Sequence, residues 1–395
     1  MHSSTQPQDL AWQFWLALPL YPFGKRRTLC TEVVRDTIWT FDQLQGFFYA
    51  VVTIRMTVVK LNAGGLLIYA PVAPTKECIR MVNELVAKYG DVKYIILPTS
   101  SGLEHKIFVG PFARCFPQSQ VFVAPNQWSF PLNLPLSWLG FPRKRTQVLP
   151  ENSKQAPFGA EFDYAVLDLD LGKGSFAEVA LLHKRSRTLL LTDSIISIPE
   201  EPPALLQLDP YPLLFHARDS GDEAMEDTPA NRRKGWQRIC LFATYFRPGT
   251  VETAGLVQML SDAAKAKERS RQAYFGLYPF RWQAGWQRSF DMLRSNGRPF
   301  VAPILQTLIF PQAPKQVLDW ADKVATWDFG RIISCHLDAP IATTPYEFRQ
   351  AFACLEQNPR TSQNAPLPEA DFGFLRQLET FLVRYGVATP AKEKV

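Results

Sequence analysis

Three strand ends in this sequence carry groups that suit a metal ion. Glu104 and His105 follow the apolar run VKYIIL at 92–97, Asp193 follows LLLT at 189–192, and His336 follows IISC at 332–335. Two imidazoles and two carboxylates are enough for one zinc, which takes three or four ligands at about 2.0–2.2 Å and keeps an open position if it is to catalyse. The same set suits non-haem iron or manganese. Loops past strand ends are held by a rigid sheet, so groups distant in sequence can be aimed into one cleft. A lone histidine after a strand is ordinarily a hydrogen-bonded structural residue, so taken singly His105, Asp193 and His336 are unremarkable.

Other polar residues are weaker candidates. Glu178 and His183 flank the strand before Asp193, and at spacing five they point to opposite faces. Glu178 can face the cleft, whereas His183, beside Lys184 and Arg185, reads as a polar residue of a hairpin. His216 sits among Tyr211, Pro212 and Phe215 and reads as part of a packed loop that reaches the cleft only as a lid. Gly172-Lys173-Gly174-Ser175 lacks the spacing of a phosphate-binding loop, and no Gly-x-Ser-x-Gly elbow is present. The six cysteines, at 30, 78, 115, 240, 335 and 354, show no metal-ligand spacing. Disulfide frameworks belong to short secreted chains, so these read as reduced and mostly buried.

The elements that must position these groups follow from pattern. Strands are expected at 38–41, 55–61 and 66–70, the last two joined across Asn62-Ala63-Gly64-Gly65 as a hairpin. Thr75 can cap a helix to about residue 89, followed by the strand 92–97, a helix holding Phe112, Ala113 and Phe116, and a strand at 121–124. This β-α-β-α-β alternation after two antiparallel strands argues for a mixed sheet covered by helices. Residues 127–150, rich in Pro and Trp, read as an irregular excursion. Strands return at 162–167, 178–183 and 188–192. A Pro-rich and acidic stretch at about 197–230 reads as an exposed loop. Helices are expected at 233–246, 254–271, 282–295, 313–327, 345–356 and 371–385, with one short strand at 331–334. Three segments result: an aromatic and basic extension at 1–30, a main domain at 31–340 and a helical extension at 341–395.

Strand, hairpin, helix, strand, loop with histidine, helix, strand, then strand-Thr-Asp and strand-Cys-His: this order resembles the metallo-β-lactamase superfamily. Residues 38–196 more closely resemble a domain-of-unknown-function family of that superfold, known from bacteria and photosynthetic lineages. The closer likeness is carried by Arg55-Met56-Thr57-Val58-Val59, Gly64-Gly65-Leu66, Ala70-Pro71-Val72, Glu104-His105 and Ser186-Arg187-Thr188-Leu189-Leu190-Leu191-Thr192-Asp193. The resemblance implies a four-layer αββα sandwich, here with extra C-terminal helices. The superfamily's His-x-His-x-Asp-His loop falls on Ser100, Gly102, Glu104 and His105, so its first two histidines are absent. Its mid-chain histidine falls near Gly174 and is absent too. The bridging aspartate matches Asp193 and the final histidine His336. What the resemblance implies is therefore a degenerate metal site, in which His105, Asp193 and His336, with Glu104 as a further ligand or as a base, hold no ion or a single Zn, Fe or Mn, and so few donors argue against a two-metal hydrolase mechanism.

Hydrophobic residues make up 46% and charged residues 20%, a globular composition. The net charge of +6 over 395 residues is too weak to argue for nucleic acid, and none is expected as a partner. Two functions remain. One is a binding or assembly scaffold that meets a protein partner; the other is a mononuclear metal-dependent hydrolase acting on a small molecule through His105, Asp193 and His336. The apolar run at 10–23 is too short to span a bilayer, and its basic residues follow it, the reverse of a secretory signal. A cytoplasmic protein is expected. Trp12, Trp15, Leu16 and Leu20 either dock on its body or, with Lys25-Arg26-Arg27, lie at a membrane surface through residues 10–27.

Overall fold

The computed structural model describes residues 6–12, 20–100, 104–127, 134–357 and 367–395. Leu29–Val34 (β1), Ile38–Phe47 (β2), Ala50–Lys60 (β3) and Leu66–Tyr69 (β4) pair antiparallel. Lys76–Tyr89 (α1) then crosses to Val92–Leu97 (β5), and His105–Cys115 (α2) crosses to Gln120–Val123 (β6), both strands parallel to their predecessors. Thr146–Val148 (β7) completes a seven-stranded sheet in sequential order. The Thr75 hydroxyl accepts from the Cys78 amide and caps α1 as expected. β2 is longer than expected because Asp42 and Gln43, which break the apolar pattern, find buried partners: Gln43 Nε2 donates to the Ala73 carbonyl and Asp42 pairs with Arg55. β7 also departs from the expected excursion.

Phe162–Asp170 (β8), Ser175–His183 (β9) and Thr188–Leu191 (β10) form an antiparallel meander. Beyond it lie Ala204–Leu208 (α3), Tyr211–Ala217 (α4), Pro229–Tyr245 (α5), Val251–Thr253 (β11), Leu256–Lys265 (α6), Phe280–Trp282 (β12), Trp286–Arg294 (α7) and Pro314–Ala325 (α8). Arg331–Ser334 (β13) joins β10 in parallel and Ile341–Ala342 (β14) closes a five-stranded sheet of order β14-β13-β10-β9-β8. Pro345–Gln350 (α9) and Gly373–Arg384 (α10) follow.

Alternation along the strands sorts the core into layers. Tyr69, Ile96 and Phe122 of the first sheet meet Val179, Leu181 and Leu190 of the second between the sheets. The other face of the first sheet, with Met56, Ile68 and Ile95, is covered by Phe108 and Phe112 of α2 and Val82 of α1. The outer face of the second sheet, with Leu167, Ala180 and Leu189, is covered by Trp320 and Ala321 of α8 and Phe348 of α9. These are the four layers of an αββα sandwich, the architecture implied by the resemblance. A further cluster joins Leu44, Tyr49 and Val51 to Leu213, Trp236, Ile239 and Tyr278.

Only the acidic part of the stretch at 197–230 is the exposed loop its prolines and acids suggest: residues 218–228 hold no helix or strand, and Asp219, Asp222, Glu223, Glu226 and Asp227 are exposed. Residues 204–217 fold into α3 and α4, and Leu205, Leu206, Leu213 and Phe215 are buried. The prolines sit before or at the first turns of these helices, where a missing N–H costs nothing. Trp282, expected as the start of a helix, instead ends β12, which pairs with β11, and α7 begins only at Trp286. Trp12 and Leu20 are buried against the body; Trp15 and Leu16 lie outside the described residues. No helix among the described residues is long and apolar enough to cross a membrane.

Candidate metal centre

His336 stands two residues past β13 and bridges to Ile54 of β3. Its Nδ1 lies 3.2 Å from the Thr53 carbonyl. Its Nε2 lies 3.0 Å from Glu104 Oε2 and 2.9 Å from Asp193 Oδ1. β3 holds this turn through Arg55, whose buried guanidinium donates to the carbonyls of Ser334 (2.7 Å) and Leu337 (3.1 Å) and pairs with Asp42 at 2.7 Å. A charged residue inside the apolar run VVTIRMTVV was the signal for this role.

His105 opens α2 and is fully buried. Its Nδ1 lies 3.0 Å from the Pro71 carbonyl. A carbonyl only accepts, so Nδ1 carries the proton and Nε2 of the neutral ring offers a lone pair. That Nε2 is buried and has no hydrogen-bond partner. A histidine whose second nitrogen donates to a backbone carbonyl is held in the tautomer a metal ligand needs. His336 has the same anchor on Thr53.

Ligand atoms of Glu104, His105 and His336 all lie within 4.8 Å of one another. The ligands of a tetrahedral zinc stand roughly 3.3–3.6 Å apart, so these three would close by no more than about 1.5 Å around an ion. The donor set therefore fits one metal. Asp193 sits beside His336, at the edge of this trio. Without an ion, the electrostatics are those of an ion pair between His336 and the two carboxylates. Burial pulls the His336 pKa down, but the carboxylates of Glu104 and Asp193 outweigh it and hold the value well above the usual histidine range. Burial raises Glu104, and the His336 charge and hydrogen bond bring it well below the usual carboxylate range. Burial lowers His105, so its ring is neutral.

Glu178, on β9, does not touch this trio. It accepts from the Thr192 amide at 2.8 Å, the Ser194 amide at 2.9 Å and the Ser194 hydroxyl at 3.0 Å. It thus grips the backbone on both sides of Asp193. Burial first, then the Asp193 charge, push its carboxyl up from the ordinary range.

His183 lies elsewhere. Five residues along β9 is roughly 16 Å, and its Nδ1 lies 2.7 Å from the Ser186 hydroxyl of its own hairpin while its ring rests on Phe162. His216 does not act as a lid residue: it is buried in α4 among Phe215, Phe242 and Phe280, with Nε2 donating to the Phe48 carbonyl at 3.0 Å. Ser100 donates to the Ser175 carbonyl at 3.1 Å and accepts from the Ala177 amide at 3.0 Å, stitching its loop to β9. Gly174 lies in the β8–β9 turn, its carbonyl accepting from the Leu171 amide. Gly102 is outside the described residues. A cavity of about 630 Å³ is lined by Phe300, Leu355, Phe372 and Arg376 among others and by none of the candidate ligands, which stand at the strand ends.

The chain is similar to several solved structures. A metallo-beta-lactamase from Pontibacter korlensis is 12% identical, covering 44% of this chain and 76% of that one, with a TM-score of 0.32. A flavoprotein from Thermotoga maritima is 8% identical over 84% of this chain and 63% of that one, with a TM-score of 0.40. A metal-soaked flavodiiron core from Synechocystis sp. is 9% identical over 84% and 82%, with a TM-score of 0.33. Comparison with curated proteins gives no match. The model of one family matches residues 35–354, most of the chain and all of the candidate ligands. The chain belongs to that family, described as Domain of unknown function (DUF4336).

Proposed function

We propose that the protein binds one divalent metal ion through Glu104, His105 and His336 and serves as a mononuclear metal-dependent hydrolase. The observation that carries this reading is the His105 Nε2 lone pair, buried, without a partner and facing Glu104 and His336. Leaving a polar atom unpaired in the interior costs about 1–3 kcal/mol, and a ligand role accounts for it. Two imidazoles with carboxylates suit zinc, iron or manganese. A bound ion supplies Lewis acidity and lowers the pKa of water it holds. Asp193, partly exposed at the rim, is placed to take a proton from that side. The Pro71 and Thr53 carbonyls orient the two rings, and Arg55 fixes the His336 turn.

A binding or assembly scaffold is the second reading. It is favoured by the His336 ring, which without an ion already has both carboxylates as partners, and by the Ser100 stitch where the superfamily pattern has a histidine. Elemental analysis of the purified protein, followed by zinc titration of chelator-treated protein, separates the two. The hydrolase reading expects near-stoichiometric metal, its loss in His105→Ala with unchanged circular dichroism, and turnover of activated ester or phosphodiester substrates. No metal in the native protein and no zinc affinity would leave the scaffold.

A further inference from the structure

Several large apolar side chains face solvent on one side of the chain. At the β2–β3 tip Phe47 and Phe48 are exposed, Phe48 at 67%. Phe23 and Phe275, the latter at 65%, are exposed beside it. The rings form a connected set: Phe48 packs on Tyr274 at 5.6 Å, Tyr274 on Tyr49 at 5.5 Å, Tyr49 on Tyr21 at 5.2 Å and Tyr21 on Phe23 at 6.0 Å. Phe23, Phe48 and Phe275 each sit at positive φ (58°, 46° and 58°). That backbone region disfavours bulky side chains and costs on the order of 1–3 kcal/mol. The chain thus bears a cost at three separate positions that all present phenylalanine outward.

Helix α6 extends the same surface. Gly276, next to Phe275, packs against Ala263 of α6 and Ala266 just past its end. Asp262 is buried on the inner face and paired with Arg281. Leu256, Leu260 and Val257 fall on the opposite face at helical spacing and are exposed, Val257 at 83%. A soluble helix ordinarily turns that stripe inward. The charges around it are basic. Lys25 and Arg27 beside Phe23, and Lys265, Lys267 and Arg271 at and beyond the end of α6, are all exposed. The acids of this stretch are engaged, Asp262 with Arg281 and Glu268 with the Tyr211 hydroxyl. Gly221 lies against Asp262 on the inner side of α6, and exposed Asp222 beside it feels the charges of Lys265 and Arg281, so Lys267, Arg271, Lys25 and Arg27 are the cations that carry the surface charge.

We infer that this surface, formed by the β2–β3 tip, the Phe275 turn and the outer face of α6, docks the protein on an anionic lipid bilayer. Apolar side chains on a helix and at loop tips enter the headgroup boundary, while flanking Lys and Arg meet anionic headgroups. Scattered cations around protruding phenylalanines fit a fluid anionic surface, which demands no register, better than a rigid partner of fixed shape. The inference is independent of the metal centre, whose residues lie at the strand ends.

The test is flotation of the full chain with vesicles of phosphatidylcholine alone and of phosphatidylcholine with phosphatidylglycerol. Binding is expected to the anionic vesicles and to weaken with salt. Phe48→Ser with Phe275→Ser should weaken it about tenfold or more, and Lys267→Glu or Arg271→Glu about fivefold or more each. Trp138→Ser, at an exposed aromatic outside this surface, should leave it unchanged. Circular dichroism and a thermal melt of each variant check that the fold is kept. Absence of binding to anionic vesicles overturns the inference. So does light scattering that finds a dimer of the parent and a monomer of the phenylalanine variant, since the patch then joins two copies of this chain.

Discussion

His336 Nε2 and Asp193 Oδ1 stand 2.9 Å apart because the register of two neighbouring parallel strands puts them there. β10 and β13 pair with Leu191 opposite Ser334. Two residues further on each strand come Asp193 and His336. The ion pair is thus written into the sheet, and the 139 residues between the two strands (192–330), about which the register is indifferent, pack around it.

Asp193→Asn keeps the shape and removes the charge. His336 then faces Glu104 alone. In chelator-treated protein we expect a loss of about 1–3 kcal/mol, since a partly buried imidazolium loses one of two charged partners. Zinc affinity should fall about 10–100-fold, the range seen when a group beside the ligands is lost. Urea denaturation and calorimetric zinc titration read the two effects. An unchanged zinc affinity would place Asp193 outside the site.

Glu178 acts on the same site without touching it. Glu178→Ala leaves the amides of Thr192 and Ser194 buried with no acceptor, a cost of about 2–4 kcal/mol. The backbone around Asp193 is then free to move from His336. The expected result is weaker zinc binding in a variant whose His105, His336, Glu104 and Asp193 are all intact. Glu178→Gln should fall between, because its amide group faces an N–H donor at one end. Zinc affinity within twofold of the parent in Glu178→Ala would show that the grip is structural only.

Much of this was legible in the sequence for a simple reason: strand ends are where a sheet delivers side chains. His105, Asp193 and His336 each follow an apolar β-rich run, and all three strand ends converge. Glu178 was visible as a carboxylate inside the run AEVALL, but which partners it meets depends on the turn after a different strand, which spacing along one strand does not reveal. Arg55 was visible as part of a family resemblance, yet its targets, the carbonyls of Ser334 and Leu337, are backbone atoms of residues about 280 positions away. The buried helices at 204–217 were hidden by prolines and acids, which mark turns in isolation but here sit at helix starts. The layers were more legible than their contacts, because alternation fixes a face and only tertiary packing fixes a neighbour.

Acid should destabilise the fold through two histidines outside the site. Burial lowers the pKa of His216 to about 3, and burial, then the Arg185 charge, lower that of His183 to about 4. Both start from an ordinary value of 6.5. Above that pH both folded and unfolded chains carry neutral rings. Below it the unfolded chain takes up protons that the folded chain refuses, so stability falls as the pH drops from about 6.5 towards 4, by up to about 1.4 kcal/mol per pH unit for each ring. His216→Phe gives up the bond to the Phe48 carbonyl and should be less stable at pH 8. Its loss of stability between pH 6.5 and 4 should be shallower than the parent's. Urea midpoints across that range measure the slope; equal slopes would remove His216 as a cause.

Gly235 tests how closely the helices must approach. It lies within α5, where alanine would ordinarily add stability by about 1 kcal/mol. A Cβ on Gly235 would stand 1.8 Å from the Leu213 carbonyl oxygen and 2.6 Å from its carbon, both backbone atoms of α4. Neither can rotate away, so α4 and α5 would have to separate and loosen the packing of Leu213, Trp236 and Ile239. Overpacking of this kind exceeds the helical gain, and we expect Gly235→Ala to lose about 3 kcal/mol or more. Gly373 is the control. It opens α10 with helical φ of −53°, and nothing lies within 4 Å of a Cβ built there. Gly373→Ala should be neutral or more stable by up to about 1 kcal/mol. Thermal melts of the two variants read the contrast, and a Gly235→Ala protein that melts with the parent would mean the α4–α5 contact yields without cost.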